Sequence, residues 1–503
     1  MKYNTWPSLL ENVATFVGWW VCISGFVAWF WRKFLTYEWG TLKMMNFLWM
    51  HKWIARIFCI GIQGLIMFAI IDNFGFSPDS IVLSAFQFIA LAFVFICLEV
   101  RHQRILKEEV PYVQPEAVMN LTEFEALIKN GRKLMILDDL VLDVADFIGM
   151  HPGGKFVIEH TVGTDIAKFF YGGYCLEDNN GAKPAETWRH TNYARMIAND
   201  LAVARFDCMR EGSEESWCRL RTDLDNEVNG LTRTFTMQTS DKKTRLNYKA
   251  YYPGLKYLTR HFWIRNMAQP EVIRHYTTCN AMEQRFYNEL LRCLKDPAAA
   301  DTFDKTLLND SDQDRMVFTI KNYKQQKGLS FKFFETDQRA EYKIKGPMGK
   351  GLAPAQTGTH MAFCAGTGAL CFVDMMAHIA LAVMGQLSQA DLDAGSININ
   401  QFSMHMYASF PSRREGVAYD LMEALHNYCL AKNLQTFVLH PRLSKEKINP
   451  ARWDAKWIES TLLQYKPTEV QRVWVCGPPF MNEQFDRTLM SMRSRLQAHQ
   501  NID

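Results

Sequence analysis

The run Lys133-Leu134-Met135-Ile136-Leu137, Asp138-Asp139, Leu140-Val141-Leu142-Asp143-Val144, closed downstream by His151-Pro152-Gly153-Gly154, decides how this chain is read. Two short apolar runs around a pair of aspartates predict strand, turn, strand. A short helix then ends at His151, because Pro-Gly-Gly stops a helix and lets the chain turn sharply. The imidazole is left at a helix end, facing a pocket. Downstream, Arg189-His190-Thr191-Asn192-Tyr193-Ala194-Arg195 places a second histidine at the start of a helical run.

Two neutral imidazoles can fill both axial positions of one haem iron, which leaves no open position for oxygen and favours electron transfer. From about Pro115 to Phe206 the pattern resembles the cytochrome b5 domain. The resemblance implies haem b, with His151 and His190 as iron ligands. The two histidines are further apart than is usual in that family, and Tyr174–Trp188 reads as an inserted loop rich in Gly, Asn and Pro. His160 is the rival second ligand, although it lies too close to His151 in sequence to reach the opposite haem face. A lone histidine in a helix-stop turn is the plain alternative. Sterol binding in place of haem would not need His151 and His190 together.

At 503 residues the chain has room for roughly three or four domains. Its 56 Lys+Arg nearly balance 53 Asp+Glu, and no nucleic-acid partner is implied. The 12 cysteines include no C-x-x-C pair, which argues against a disulfide framework or a zinc site and fits a reducing compartment. The first hundred residues differ from the rest. Asn12–Trp31 and Ser80–Leu98 carry no charge, and Ile54–Ile71 carries only Arg56, near its end. Each is apolar on all sides and about long enough to cross a bilayer as a helix. Trp19, Trp20, Trp29, Trp31, Trp49 and Trp53 cluster at the expected interfaces. Three spans in series without a clear cleavage site argue against a signal peptide. Basic residues lie between spans one and two and after span three, so everything after residue 100 is expected inside, in cytosol or mitochondrial matrix.

The second half carries another set of motifs. Arg274-His275-Tyr276-Thr277 follows a strand pattern, Lys327-Gly328-Leu329-Ser330 and Lys345-Gly346-Pro347-Met348-Gly349 read as turns, and the last 150 residues alternate strand and helix. There the strand His360–Cys364 runs into Ala365-Gly366-Thr367-Gly368, and Val473-Trp474-Val475 runs into Cys476-Gly477-Pro478-Pro479. An arginine can pair with a pyrophosphate oxygen, an aromatic ring can pack on a flavin, and a glycine turn before a helix can cradle a pyrophosphate. In order and spacing these motifs resemble the ferredoxin-reductase superfamily, in particular the NADH–cytochrome b5 reductases. The resemblance implies FAD held by Arg274, Tyr276, Thr277, Gly328 and Ser330. It implies NADH or NADPH held by Gly366, Thr367, Gly368, Gly477 and Pro478, with Cys476 setting the nicotinamide beside the flavin as the catalytic residue.

The chain departs from that pattern in places. Ala365, Leu370 and Cys371 stand where the family usually has glycine, a small polar residue and proline, and Thr278 stands where proline is common. Ser412-Arg413-Arg414 after the strand Ser403–Tyr407 reads either as a 2′-phosphate site favouring NADPH or as a solvated basic loop. Met282–Gln313, with Phe286, Leu290, Leu291 and Leu294, reads as an inserted amphipathic helix for docking.

The expected architecture is multidomain: an all-α transmembrane region (1–108), an α+β cytochrome b5-like domain (109–206), a linker (207–229), a β-barrel flavin domain (230–354) and an α/β nucleotide-binding domain (355–503). Two functions fit. One is a membrane-anchored flavohaemoprotein that passes electrons from NAD(P)H through FAD to haem and on to a membrane partner. The other is an accessory subunit of a large membrane complex, such as a respiratory one, that keeps the fold but not nucleotide turnover. Endoplasmic reticulum and mitochondrial inner membrane both suit the expected lipid-embedded anchor.

Overall fold

The computed structural model describes residues 115–171, 190, 192–206, 218–239, 254–267, 273–308, 315–322, 329–335, 341–449, 451–466 and 469–492, with Asp72, Ile89 and Val113 as isolated positions. The three expected spans, Ile89 aside, lie outside the described residues, as does Gly328. Among the described residues one helical stretch, Gly366–Val383, is long and apolar enough to cross a membrane, and most of it is buried inside the fold. The described residues form two bodies.

The first body holds Asp143–Val162 and His190–Leu201. A 3-10 turn, Ile148–Met150, ends at His151, whose extended backbone (φ −65°, ψ 127°) breaks the helix where the Pro-Gly-Gly sequence requires it. Gly154 follows at φ +94°, a conformation suited to glycine, and opens the helix Lys155–Thr161. The helix Asn192–Leu201 starts just after His190.

The second body holds Gln114–Leu142, Gly163–Arg189 and Ala202–Asp503. Its first sheet runs β1 (Val118–Met119), β4 (Ala202–Phe206), β3 (Leu140–Asp143) and β2 (Leu134–Leu137), in that spatial order. The helix Leu121–Lys129, capped by Asn120, packs Phe124 against Leu134, Ile136, Val141 and Phe206. The turn between β2 and β3 places Asp138 at φ +62°.

Next comes a six-stranded antiparallel sheet, in the order β8 (Ile273–Thr277), β7 (His261–Asn266), β10 (Glu341–Met348), β5 (Cys218–Asn229), β6 (Thr232–Thr239), β9 (Arg315–Lys321). One strand of it, β5, occupies residues read from sequence as linker. It pairs with β10 on one side and β6 on the other, so the ladder makes it a strand. Lys345-Gly346-Pro347-Met348 is the irregular end of β10, where the pairing to β7 shifts register and the Gly346-Pro347 peptide is cis.

The third sheet is parallel, in the order β13 (Phe437–Leu443), β12 (Phe402–Phe410), β11 (Gly358–Ala365), β14 (Val470–Cys476). Side chains alternate across β11, as a pleated strand requires. Ala362 and Cys364 join a core with the helices Val373–Val383 and Tyr419–Ala431, while Met361 and Phe363 face Ile458 and Phe485 on the other side.

The expected docking helix forms at Gln284–Lys295, but its apolar face is already used. Leu290, Cys293 and Leu294 are buried in the shared core with Leu421 and Leu425, and the Tyr287 hydroxyl donates to Asp420. The sequence shows that a face is apolar and not what covers it; here the chain's own helix does.

Candidate functional site: a histidine pair and a convergence of nucleotide motifs

The His151 and His190 imidazoles face one another, with ring centroids 6.2 Å apart and planes 29° from parallel. Two imidazole nitrogens each about 2 Å from one metal ion leave ring centroids roughly 6 Å apart, so the spacing suits one iron between them. Burial, and then the neighbouring His190, push the His151 pKa down, which keeps the ring in the neutral form a metal needs. Phe147 meets the His151 ring edge-on at 5.7 Å, and a side chain at Gly153 would collide with it, so the glycine is required beside the ring. His160 instead stacks on Phe156 of its own helix. Of the two rivals, His190 is the one that faces His151.

In the six-stranded sheet, Arg274 is exposed on β8, opposite Ile264 of β7. Two residues on, the Tyr276 ring meets Phe333 edge-on at 5.6 Å, and Phe333 stacks on Tyr342 at 4.6 Å. Phe333 belongs to the helix Leu329–Glu335, which also carries the buried Ser330. Strand β8 and the helix Leu329–Glu335 thus meet through Tyr276 and Phe333. Thr277 ends β8, and its carbonyl accepts from the Cys279 thiol at 3.6 Å.

The turn after β11 and the end of β14 touch directly. Gly366 takes φ +56°, and a Cβ at Gly368 would overlap the carbonyl of Cys476. Only glycine lets the turn after β11 approach the end of β14 so closely. The turn continues through Leu370 and Cys371. The Cys279 thiol lies 3.7 Å from the Leu370 carbonyl, and the Cys371 and Cys476 sulfurs are 3.4 Å apart. The hydrogen bond to Cys476, then burial, push the Cys371 thiol well up, so it stays protonated. Leu370 thus brings the turn after β11 beside Cys279, just beyond the end of β8. Cysteines so far apart in sequence give no signal of this pairing in the sequence alone.

Ser412 and Arg413 are already engaged. The Ser412 hydroxyl donates to Glu415 at 2.9 Å, and the Arg413 guanidinium pairs with Glu423 at 3.3 Å. Of the two readings of this loop, the structure favours a solvated, internally neutralised one.

The haem-domain sheet is held to the rest of its body by polar contacts. The Gly349 N–H donates to the Asp138 carbonyl at 3.0 Å, Trp263 Nε1–H donates to Asp138 Oδ1 at 3.2 Å, and Arg472 pairs with Glu125 at 2.6 Å. These contacts were not anticipated from sequence.

Comparison with known proteins adds to this geometry. Residues 120–207 match the family described as Cytochrome b5-like Heme/Steroid binding domain. The chain carries a cytochrome b5-like domain. Acyl-CoA desaturase 1 of Saccharomyces cerevisiae is 33% identical over 81 residues, which are 16% of this chain and only 13% of that protein. The remaining similarities are to solved structures. The cytochrome b5 reductase domain of Ulva prolifera nitrate reductase is 14% identical, covering 55% of this chain and 92% of that one, with a TM-score of 0.33. The CS-b5R domains of human Ncb5or are 14% identical, covering 55% and 66%, with a TM-score of 0.37.

Proposed function

We propose that the protein is an NAD(P)H-dependent electron-transfer flavohaemoprotein, held at a membrane by its N-terminal apolar spans and delivering electrons to a membrane protein. The observation that carries this reading is the close approach of the Gly368–Cys371 turn to Cys476, with its Leu370 carbonyl 3.7 Å from the Cys279 thiol that follows β8. It is supported by the facing His151 and His190 rings in the b5-like domain.

When bound, the pyridine nucleotide supplies an electron pair, the flavin divides it into single electrons, and the haem carries them singly. The residues do the positioning. The turn Gly366-Thr367-Gly368 presents backbone N–H groups at the start of a helical stretch, where a pyrophosphate is favoured. Gly368, by admitting the Cys476 carbonyl, fixes the nicotinamide end of that turn against β14. Arg274 offers a fork of donors to flavin phosphate, and Tyr276, braced by Phe333, offers a ring face and a hydroxyl. Ser330, on the same helix as Phe333, adds a hydroxyl. His151 and His190 would hold the haem iron and leave it no open position for oxygen.

A second reading is an accessory subunit of a membrane complex without nucleotide turnover. It is favoured by Leu370 and Cys371, an apolar side chain and a protonated thiol at the positions that would face the nicotinamide. Ferricyanide reduction by the purified chain separates the two. NADH or NADPH oxidation supports the first reading, and no turnover at any nucleotide concentration removes it.

A further inference from the structure

A polar cluster lies where the haem-domain sheet meets the antiparallel sheet. Asp138 comes from the turn between β2 and β3, His261 from β7 and His275 from β8. In the β7–β8 ladder His275 faces Trp263, which places His261 diagonally from it on the same side. One ligating atom from each of Asp138, His261 and His275 lies within 4.8 Å of the other two. The Asp138 side chain is fully buried and the two imidazoles are mostly so, 16% and 19% exposed.

Hydrogen bonding leaves this cluster incomplete. His275 Nε2 is 3.6 Å from Asp138 Oδ1, beyond hydrogen-bond reach. Neither His275 Nε2 nor His261 Nε2 has a hydrogen-bond partner, although both are buried. An unpaired buried polar atom is destabilising, so two of them at one point need a reason. Two ligands each about 2 Å from one metal at the tetrahedral angle are about 3.4 Å apart, close to the observed spacing.

The surroundings are those of a metal centre. Asp138 Oδ2 accepts from the Tyr171 hydroxyl at 2.8 Å, and Oδ1 accepts from Trp263 Nε1–H at 3.2 Å, which fixes the carboxylate. His261 Nδ1 has Asp165 4.0 Å away. The glycine at 349 is needed, because a Cβ there would collide with both Asp165 and His261. Asp138 and Asp165 balance a divalent charge. Of the nearby cations, Arg260 is turned to the Gly349 carbonyl and Lys345 lies over the Trp263 ring.

We infer that Asp138, His261 and His275 form a binding site for a divalent first-row transition metal, of which Zn²⁺ is the probe, at the joint between the haem-domain sheet and the flavin sheet. Two histidines and one carboxylate are a common ligand set for such ions and leave a position for water. The ion would tie the β2–β3 turn to the strand that carries Arg274 and Tyr276. The inference does not depend on the electron-transfer reading, because its readout is metal content and affinity.

The test uses the full-length, haem-loaded protein, stripped of other metals with a chelator and titrated with Zn²⁺, with zinc and iron counted separately by elemental analysis. One zinc per chain is expected, with affinity reduced at least tenfold by His275→Gln and by Asp138→Asn. Tyr171→Phe, which leaves all three ligands in place, is expected to weaken zinc about 10- to 100-fold. This variant answers the question if the ligand substitutions fail to fold. A wild-type protein that retains no zinc overturns the site, and so does zinc binding that survives all folded variants unchanged. Haem spectra and NAD(P)H oxidation, read on the same samples, report on the proposed function independently.

Discussion

Arg472 on β14 and Glu125 on the helix Leu121–Lys129 form an ion pair of 2.6 Å that joins the edge of the parallel sheet to the b5-like domain. Arg472 is only 9% exposed, and its Nε also donates to the Ala353 carbonyl. Neutralising the carboxylate removes the charge that faces a largely buried guanidinium, while the partial exposure of Glu125 limits the loss. Glu125→Gln is expected to cost about 1–3 kcal/mol of stability, read by thermal unfolding. It should also slow reduction of the haem by nucleotide without slowing reduction of ferricyanide, since the flavin site is untouched. Equal slowing of both reactions would contradict a role for this pair in aligning the domains.

His151 and His190 are expected to fail differently from His160. Replacing either of the facing pair with alanine removes one side of the iron's support, so the purified protein should lose most of its haem or show an altered axial ligand in its visible spectrum. His160→Ala removes a stack on Phe156 and leaves the facing His151 and His190 in place, so it should keep the wild-type spectrum. The three spectra, recorded with matched iron and flavin contents, check this.

The contact between Gly368 and Cys476 predicts an acute effect of one methyl group. Gly368→Ala places a Cβ on the Cys476 carbonyl and must push the turn away from β14. A displacement on the order of 1 Å at a reacting centre costs about 100-fold in rate. The variant should therefore lose roughly that factor in NAD(P)H oxidation while keeping haem, as measured by steady-state kinetics and the haem spectrum.

His360 predicts how stability depends on pH. Its ring stacks between Phe402 and Trp474, accepts the Ala355 N–H at Nε2 (3.0 Å) and lies 3.1 Å from the Gly358 carbonyl through Nδ1. Protonating Nε2 would break the first bond. Burial pushes its pKa to about 4. His405 and His440, 3.1 Å apart and each lowered to about 4 chiefly by burial, act in the same direction. Above pH 6.5 these rings are neutral in folded and unfolded chains alike and contribute no slope. Below it the unfolded chain takes up protons that the folded chain refuses, so stability falls toward pH 4. For fully buried His360 the loss is on the order of 3 kcal/mol at most. His360→Gln keeps a neutral acceptor for Ala355 and should flatten the fall in melting temperature between pH 6.5 and 4.5. An unchanged slope would show that His360 does not titrate in this way.

The parts of the fold legible in sequence are those fixed locally. The β2–β3 hairpin and the stop at His151 follow from apolar runs, a turn and a Pro-Gly-Gly, all within a few residues. Strand β5 was hidden because Cys218–Asn229 alternates leucines with arginines, aspartates and asparagines, and reads as polar until its ladder partners β6 and β10 are known. The helix Gln284–Lys295 announced its apolar face but not the helix Tyr419–Ala431 that covers it. The site shows the same division. Gly366–Gly368 and Cys476–Pro478 were recognisable as motifs, whereas the thiol contact between Cys371 and Cys476 and the cluster of Asp138, His261 and His275 exist only because distant segments pack together.

The most direct test of the central claim is an anaerobic visible spectrum of the purified, haem- and flavin-loaded protein before and after NADH, and then NADPH. The account predicts that at least one nucleotide reduces a bis-histidine haem, which requires the whole path from the Gly366–Gly368 turn through the flavin strand to His151 and His190. A haem that dithionite reduces and neither nucleotide does would contradict it and leave the reductase half as a structural element of a larger assembly.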